Sequence, residues 1–386
     1  MLQRFCHYIE QQHLFPPGKE VLLAVSGGRD SMAMLHLCCR AGIPFAVAHC
    51  NFHLRPGDCD RDQRFVRDAA AALGVPFFTT DFDTRAYAEA HSQSIEEAAR
   101  ELRYSFFADL CRQHGFSAVA TAHHRDDSIE SFFLNLFRGT GIAGLHGIRP
   151  VAEFRIDGFD LRIVRPLLAF SRADIDAYVL DNSLAYVEDI TNASFDARRN
   201  QLRHRLMPLL RELYPSVDDT MEANINRLYD TEQIYKEHLA TLRASLLTPH
   251  RSPVTYLPFE ILSLDLPALV QSNPRSSILN TLLFELLRPF GFKAAQCADI
   301  LAAREGGKLF FSPSHVAELH RDMLLVAPNV EPSPGRHPQS GDRIVTAQSK
   351  TRLLSDYLKD LGLSRIERRH LLLTLAPDGK TVVPNF

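Results

Sequence analysis

Hydrophobic and polar positions in the first part of the chain alternate between short apolar runs and longer segments of helical spacing. The apolar runs predict buried β-strands at residues 21–25, 45–49, 77–82 and 118–122. The segments between them predict helices at about residues 31–40, 60–73, 94–114 and from 126 onward. Ser94 and Glu97 have the spacing of a capping box, which marks the start of the third helix. Strands that alternate with helices predict an α/β fold with a doubly wound parallel sheet.

The pattern changes near Pro215. Amphipathic segments at about residues 222–245, 276–287 and 294–304 predict a mostly helical second domain. Residues 331–342 hold three prolines and two glycines, which is typical of a linker, and a small α+β module follows. The predicted domains are therefore residues 1–214, residues 215–330 and residues 331–386.

Composition narrows the class of protein. The 386 residues carry a formal net charge of -3, so any contact with nucleic acid depends on local basic patches. The seven cysteines are odd in number and show no C-x-x-C spacing, which argues against a disulfide framework, a zinc ribbon or a chelated iron–sulfur cluster. No apolar run reaches transmembrane length, and the N-terminus lacks the apolar core of a signal peptide. We expect a cytoplasmic protein with no membrane partner.

A glycine-containing turn follows the first predicted strand, with the sequence Ser26-Gly27-Gly28-Arg29-Asp30-Ser31. Two glycines let the backbone approach an anion closely, and the helix that follows offers free N–H groups and a positive dipole end. Two hydroxyls add donors, and Asp30 can carry Mg²⁺ or position a reacting group. Glycines alone are also typical of a simple strand-to-helix turn. The added Ser, Asp and Ser favour phosphate binding over that alternative.

A second polar segment, His123-His124-Arg125-Asp126-Asp127-Ser128-Ile129-Glu130, follows the fourth predicted strand. Asp126 and Asp127 lie four and three residues before Glu130, so the three carboxylates share one helix face. They could hold a cationic substrate, hold Mg²⁺ or accept a proton from an amine. Two alternatives are simple acidic capping of the helix and a His/Asp metal site.

These segments together resemble the PP-loop ATPases, and within them the tRNA(Ile)-lysidine synthetases. The turn fits the shared S-G-G-x-D-S pattern, and 121–145 (TAHHRDDSIESFFLNLFRGTGIAGL) fits an H-H-x-D-D-x-x-E-T block with Ser131 in place of Thr. The segment 94–104 fits S-x-E-x-x-A-R-x-x-R-Y, and 199–203 fits R-N-x-x-R. Segments 165–168 and 188–192 also match in order. The stretch from His49 to Arg55 is similar to H-x-N-H-x-L-R but departs from it at Phe52 and His53.

The resemblance implies an adenine nucleotide alpha hydrolase-like fold and an ATP-dependent ligase. ATP, with Mg²⁺, adenylates the C2 oxygen of the cytidine at the first anticodon position of an isoleucine tRNA with a CAU anticodon. L-lysine then attacks C2 through its ε-amine and displaces AMP, which leaves lysidine in the tRNA. The oligomeric state stays open, and a homodimer is compatible with the sequence. Relatives usually continue slightly beyond the segment aligned with Val382-Val383-Pro384.

The resemblance also implies roles for individual residues. ATP binding falls to Ser26, Gly27, Gly28, Arg29, Asp30, Ser31 and His49. Lysine binding falls to Asp126, Asp127 and Glu130. Catalysis falls to Asp30, Asp127, Glu130 and Arg100, with Asp30 also the candidate Mg²⁺ ligand. Contacts to tRNA fall to Arg103, Arg138, Arg199, Asn200 and Arg203, and either Arg100 or Arg103 contacts the α-phosphate or the cytidine.

Three rival functions compete with the ligase. The nearest is a PP-loop tRNA cytidine thiolase, although such chemistry typically uses clustered cysteines. The second is a His/Asp metallohydrolase built on 123–127. The third is a non-catalytic RNA-binding protein, for which the basic run 198–205 would suffice.

Overall fold

A computed structural model describes residues 1–54, 58–188, 198–254, 257–273, 276–303, 306–332, 334–346, 351–377 and 381–384. Arg55 and the segment 189–192, which carry parts of two predicted motifs, lie outside the described residues. The chain divides into two units, Met1–Glu232 and Gln233–Phe386. The predicted boundaries at 214 and 330 are a finer division and stay a prediction.

The first unit is built on a six-stranded sheet with the order β3-β2-β1-β4-β6-β5. Its strands are β1 (Val21–Ala24), β2 (Phe45–Asn51), β3 (Phe77–Asp81), β4 (Val119–Ala120), β5 (Val151–Ile156) and β6 (Phe159–Val164). Its helices are α1 (Leu2–Gln11), α2 (Arg29–Arg40), α3 (Asp58–Leu73), α4 (Thr84–Ala90), α5 (Ile95–His114), α6 (Arg125–Arg138), α7 (Arg172–Asp181), α8 (Arg198–Gln201) and α9 (Met207–Leu213). A π-helical segment, Leu202–Leu206, joins α8 to α9, and α10 (Val217–Leu246) follows.

The sheet is parallel from β3 to β6, which confirms the predicted α/β fold. Residues of β1 alternate between two buried clusters, since Val21 and Leu23 pack on one face and Leu22 on the other. Burial on both faces explains why each strand is a nearly continuous apolar run rather than an alternating one. The capping box of Ser94 and Glu97 is present at the start of α5.

Strand β5 departs from the prediction because it pairs antiparallel with β6. A two-residue turn, Asp157-Gly158, joins the two strands, and both residues have positive φ angles of 48° and 77°. Asp-Gly is a strong hairpin signal because both positions of a type I′ turn need positive φ. The Asp157-Gly158 pair is therefore the sequence feature that marks this hairpin.

The second unit carries a five-stranded antiparallel sheet with the order β7-β8-β11-β10-β9. Its elements are β7 (Leu247–Pro249), β8 (Leu262–Asp265), α11 (Leu266–Ser272), α12 (Ser276–Leu287), α13 (Ala294–Ala302), β9 (Leu309–Phe311), β10 (His315–His320) and β11 (Met323–Pro328), then β12 (Arg343–Val345), β13 (Thr351–Leu353), α14 (Leu354–Asp360), α15 (Arg365–His370), β14 (Leu373–Leu375) and β15 (Val382–Pro384). The predicted helices at 276–287 and 294–304 are present as α12 and α13. The sheet itself was not predicted, because strands of three to six residues give little periodic signal. No helix among the described ranges is both long and apolar enough to cross a bilayer.

Candidate active site

The loop between β1 and α2 forms a closed turn at the carboxyl end of the parallel sheet. Gly28 is the N-cap of α2, and its N–H donates to Ser26 Oγ at 3.3 Å. The Ser31 hydroxyl donates to the Gly28 carbonyl at 2.8 Å and lies 3.2 Å from Ser26 Oγ. The N–H groups of the first helical turn remain available at this end, as an anion-binding loop requires.

Gly27 is required by the backbone conformation of this loop. Its φ angle is +90°, a region that L-residues with a side chain rarely adopt. A Cβ atom at this position would lie 3.2 Å from Val66 Cγ2. The Gly27 carbonyl accepts a hydrogen bond from Val187 N at 2.9 Å, which fixes the loop against the chain that follows α7.

A cavity of about 780 Å³ opens beside the loop, within the size range of ligand sites. The predicted residues that line it are Ser26, Gly28, Arg29, Asp30, Ser31, Arg103 and His123. Its apolar wall includes Ala48, Cys50 and Phe107, which come from β2 and α5. The cavity therefore combines a polar, amide-rich end with an apolar wall, as a nucleotide requires.

Asp30 forms an ion pair with Arg172, and both side chains line the cavity. Arg172 Nη1 donates to both carboxylate oxygens of Asp30 at 2.8 Å. Arg172 is the first residue of α7, and its backbone N–H donates to Asp126 Oδ2 at 2.9 Å. Sequence reasoning missed Arg172, which lies 142 positions from Asp30 and outside every motif.

His124 links the phosphate loop to the acidic segment. Its side chain is 3% exposed, and Nε2 lies 3.9 Å from Asp30 Oδ2 and 3.5 Å from Asp127 Oδ2. The His124 backbone N–H donates to Asp127 Oδ2 at 3.0 Å, so Asp127 caps α6 as well. One buried imidazole thus contacts carboxylates of both predicted motifs.

His123 points into the cavity, with Nδ1 2.9 Å from Thr121 Oγ1. Burial lowers the pKa of His123 to about 4, although the charge of Asp127 opposes that shift. His123 is therefore neutral near pH 7. It can exchange hydrogen bonds with a ligand in the cavity without adding a charge.

The acidic pair on α6 is neutralised by arginines of the chain itself. Glu130 is buried, and Arg203 binds it through Nε to Oε1 at 2.7 Å and Nη2 to Oε2 at 2.9 Å. Arg203 Nη2 also donates to Asp127 Oδ1 at 3.3 Å, and Arg199 Nε lies 3.6 Å from Glu130 Oε2. Two carboxylates and two guanidinium groups form one cluster of mixed charge.

Burial and neighbouring charges move the pKa values of the two carboxyls in opposite directions. Burial raises the pKa of Glu130, and the hydrogen bonds and charge of Arg203 only partly oppose it. For Asp127, burial acts in the same upward direction, but neighbouring positive charge, including that of Arg203, and the hydrogen bond from the His124 backbone N–H together outweigh it, and the pKa is lowered. Glu130 is consequently the stronger proton acceptor of the two.

Asp126 turns away from this pair. Its Oδ1 accepts from Arg211 Nη2 at 2.6 Å, and its Oδ2 accepts the backbone N–H at the start of α7. Both oxygens therefore join α6 to neighbouring helices. This arrangement gives Asp126 a structural explanation that needs no ligand.

Other predicted site residues lie at the edge of the cavity or away from it. Arg29 donates to Asp176 Oδ1 at 2.6 Å and to the Tyr186 hydroxyl at 3.0 Å, so its guanidinium is held by α7 and the chain beyond it. His49 is buried, with Nδ1 2.9 Å from the Val25 carbonyl oxygen, and is not among the residues that line the cavity.

The remaining predicted arginines divide between the cavity and the surface. Arg103 lines the cavity, with its guanidinium carbon 5.2 Å from the centre of the Phe52 ring. Arg100 is exposed and packs over Tyr104 at 4.8 Å from the ring centre. Arg138 is exposed at the end of α6, and Asn200 is half-buried on α8. The residues of the phosphate loop and Arg103 thus line the same cavity, whereas Arg100 and Arg138 are not among the residues that line it.

The open parallel sheet and its phosphate loop define the class of protein as an ATP-utilising PP-loop enzyme. Residues 2–210 match the PP-loop domain family, and residues 260–329 match the TilS substrate binding domain.

The similar proteins identify the family within that class. The chain is 40% identical to the tRNA(Ile)-lysidine synthase of Bacteroides thetaiotaomicron over 84% of its own length and 71% of that protein. It is 41% identical to the enzyme of the same name from Parabacteroides distasonis, over 83% of this chain and 68% of that protein. It is 40% identical to the enzyme of the same name from Porphyromonas gingivalis strain W83, over 83% of this chain and 66% of that protein. The chain belongs to the tRNA(Ile)-lysidine synthase family and is an ATP-dependent ligase of tRNA modification.

Proposed function

We propose that the chain forms lysidine at the first anticodon position of an isoleucine tRNA with a CAU anticodon, in the cytoplasm. ATP adenylates the cytidine C2 oxygen with loss of diphosphate, and the ε-amine of L-lysine then displaces AMP. The observation that carries the proposal is the position of His124, which lies between Asp30 of the phosphate loop and Asp127 of the acidic pair. Nucleotide and amine chemistry can therefore meet at one place.

ATP fits the cavity with its phosphates at the loop. The N–H groups in the first turn of α2 supply fixed donors without a charged side chain, and the hydroxyls of Ser26 and Ser31, which bond within the loop, can turn toward the phosphates. The apolar wall suits the adenine ring. Such fixed donors stabilise the charge that develops on the departing diphosphate, because they need no reorientation during the reaction.

The cavity also fits Mg²⁺ in the way nucleotide sites usually hold it. Asp30 and Glu188 are the carboxylates that line it, and Mg²⁺ is commonly bound by one or two carboxylates together with substrate phosphates. When bound, the ion neutralises phosphate charge. Asp30 is the residue we assign to it, and Arg172, which donates to both of its oxygens, must release one of them to the ion. Across the described ranges, no three His, Cys, Asp or Glu side chains converge as a metal-ligand group.

The mixed-charge cluster suits a zwitterion such as lysine. Asp127 and Glu130 can hold an ammonium group, while Arg203 and Arg199 can hold the α-carboxylate. Because Arg203 already binds both carboxylates, lysine binding requires this arginine to exchange one partner for the ligand. The amine must then lose a proton to attack. We assign Glu130 as the acceptor of that proton, because its pKa is raised whereas the pKa of Asp127 is lowered.

Contacts to tRNA complete the proposal. Arg103 lines the cavity beside Phe52 and is placed to meet the target cytidine or the α-phosphate. Arg199 is 43% exposed and Asn200 lies beside it, so both can reach the nucleotide that enters the site. Arg203 acts mainly through the carboxylates. The exposed Arg100 and Arg138 are candidates for phosphate contacts outside the cavity.

Cys50 argues against the thiolase alternative. It lines the cavity, and burial raises the pKa of its thiol to about 12. A thiol with so high a pKa supplies almost no thiolate at neutral pH, and thiolate is the reactive form. No observation at this site favours sulfur transfer over amine attack.

A two-stage labelling experiment tests the proposed reaction. With ATP labelled at the α-phosphate, Mg²⁺ and the tRNA, label should enter the tRNA while lysine is withheld. Added lysine should release that label as AMP. Glu130→Gln should still load the label but release it slowly, because only the second stage needs the proton acceptor. A tRNA with uridine at the first anticodon position is the control. Protein that binds ATP yet never labels the cytidine tRNA would refute the proposal.

A further inference from the structure

An apolar groove of about 500 Å³ lies on the surface of the first unit, between α6 and the helical stretch 198–213. Its floor is formed by Leu134, Leu202, Leu206 and Leu209, with Phe137 at its edge. Phe137 is 65% exposed and Leu209 is 50% exposed. Large apolar side chains grouped at this exposure are typical of a binding surface rather than of ordinary solvent contact.

The groove uses a different face of the 198–213 stretch from the active site. Arg199 and Arg203 are four residues apart and turn toward Glu130. The groove instead takes positions 198, 202, 205 and 209, whose spacing of three and four residues defines a second helix face. The same basic segment thus serves two surfaces, and the arginines on Glu130 are not the ones beside the groove.

Three arginines border the apolar floor. They are Arg138 at the end of α6, Arg198 in α8 and Arg205 in the π-helical segment, and all three are exposed. Among the described residues that line the groove, none is acidic. In a chain of net charge -3, this is a local concentration of positive charge around an apolar strip. A matching ligand carries spaced negative charges and exposed flat apolar groups.

We propose that this groove binds unpaired nucleotides of the tRNA substrate, with bases stacked on Phe137 and phosphates held by Arg138 and Arg198. The inference rests on the proposed function and adds a binding surface outside the catalytic cavity. Single-stranded RNA supplies both features at once, because its bases have flat faces and its backbone carries one charge per nucleotide.

A second copy of the chain fits the groove less well. A two-fold interface places the same patch of each copy against the other. Arg138, Arg198 and Arg205 would then face their own symmetry mates, and like charges across an interface are unfavourable. RNA removes that repulsion and covers the same apolar surface.

The test measures binding of a hairpin that carries the anticodon stem and loop to the full-length protein. Phe137→Ala should weaken binding by roughly fivefold or more, as expected for loss of one base stack. Arg138→Gln with Arg198→Gln should reduce the slope of log affinity against log salt by about one for each lost phosphate contact. The matched controls are Leu180→Ala, an exposed leucine on α7, and Arg155→Gln, an exposed arginine on β5; neither should change binding.

Abasic nucleotides placed one at a time in the loop, outside the target cytidine, identify the stacked base. At one or two positions, base removal should weaken binding to the original protein and have no further effect on Phe137→Ala. ATP affinity should be unchanged in every variant, so a failure of the groove is separable from a failure of the ATP site.

Two results would overturn the assignment. One is equal hairpin affinity for Phe137→Ala and the original protein, in preparations that still label tRNA. The other is a dimer that dissociates on Phe137→Ala without any change in hairpin binding, which would make the groove an interface between copies. If the original protein never modifies tRNA but Phe137→Ala still weakens hairpin binding, the proposed reaction is wrong and the groove assignment stands.

Discussion

Replacing Arg203 with alanine should destabilise the first unit because it leaves a buried carboxylate without its main partner. Glu130 is 2% exposed and receives two hydrogen bonds from Arg203, at 2.7 and 2.9 Å. Removing one member of a buried ion pair typically costs about 3–5 kcal/mol. Arg203 is 31% exposed and Arg199 lies 3.6 Å away, so part of the charge stays compensated. We therefore expect a smaller loss, of about 2–3 kcal/mol.

A double-mutant cycle with Glu130→Gln isolates the pair. Glu130→Gln removes the buried charge, so adding Arg203→Ala to it should cost less than Arg203→Ala costs alone, with a coupling of about 1–2 kcal/mol. The measurement is urea unfolding, followed through the transition that ATP shifts, because that transition belongs to the nucleotide-binding unit. Arg155→Ala removes an exposed pair with Asp160 and should change stability by no more than about 0.5 kcal/mol.

The refuting result is additivity. If the two substitutions contribute independently, the ion pair seen in the structure does not stabilise the fold. The destabilisation by Arg203→Ala should also shrink as the pH falls, because the unpaired Glu130 then takes up a proton and loses its charge. A loss that stays constant from pH 8 to pH 5 would contradict this explanation.

Three further predictions concern the phosphate loop and its neighbours. Gly27→Ala should cost about 1–3 kcal/mol in urea unfolding and weaken ATP binding in calorimetry, because its φ of +90° disfavours a side chain; Gly28→Ala, whose added Cβ meets only ordinary contacts, is the stability control. Stability should fall by up to about 3 kcal/mol as the pH drops from 6.5 to 4, because unfolded His123 binds a proton there while the folded form does not, and His123→Gln should flatten that part of the pH curve. Asp30→Asn should slow label transfer from ATP to tRNA by roughly 100-fold or more in single-turnover assays while leaving the unfolding midpoint nearly unchanged.

The sequence was sufficient for features that depend on neighbouring residues. The phosphate loop, the capping box at Ser94 and the parallel order of alternating strands and helices all follow from local spacing. Gly27 is an example. A turn of a few residues needs a positive φ angle at this position, and positive φ favours glycine, so the glycine in the sequence indicates the turn. Carboxylates grouped within one helical turn, such as Asp127 and Glu130, were recognisable for the same reason.

Features that depend on distant residues were not predictable. Arg172 meets Asp30 across 142 positions, and Arg211 meets Asp126 across 85. Arg203 belongs to the R-N-x-x-R motif, but the spacing of that motif indicates only a basic helix face. Such a face is as typical of RNA contacts as of ion pairs within the protein. Its pairing with Glu130 depends on how α6 packs against the 198–213 stretch. Tertiary contacts decide which charges are neutralised, and a single sequence does not report them.

The central claim is that this chain joins lysine to a specific cytidine of tRNA at the expense of ATP. The most direct measurement is incorporation of radiolabelled lysine into an isoleucine tRNA with a CAU anticodon, in parallel with the same tRNA carrying a different first anticodon base. The account predicts label in the CAU tRNA only when ATP, Mg²⁺ and protein are all present, with AMP formed in equal amount. Folded protein that binds ATP and the tRNA but leaves the lysine unincorporated would contradict it.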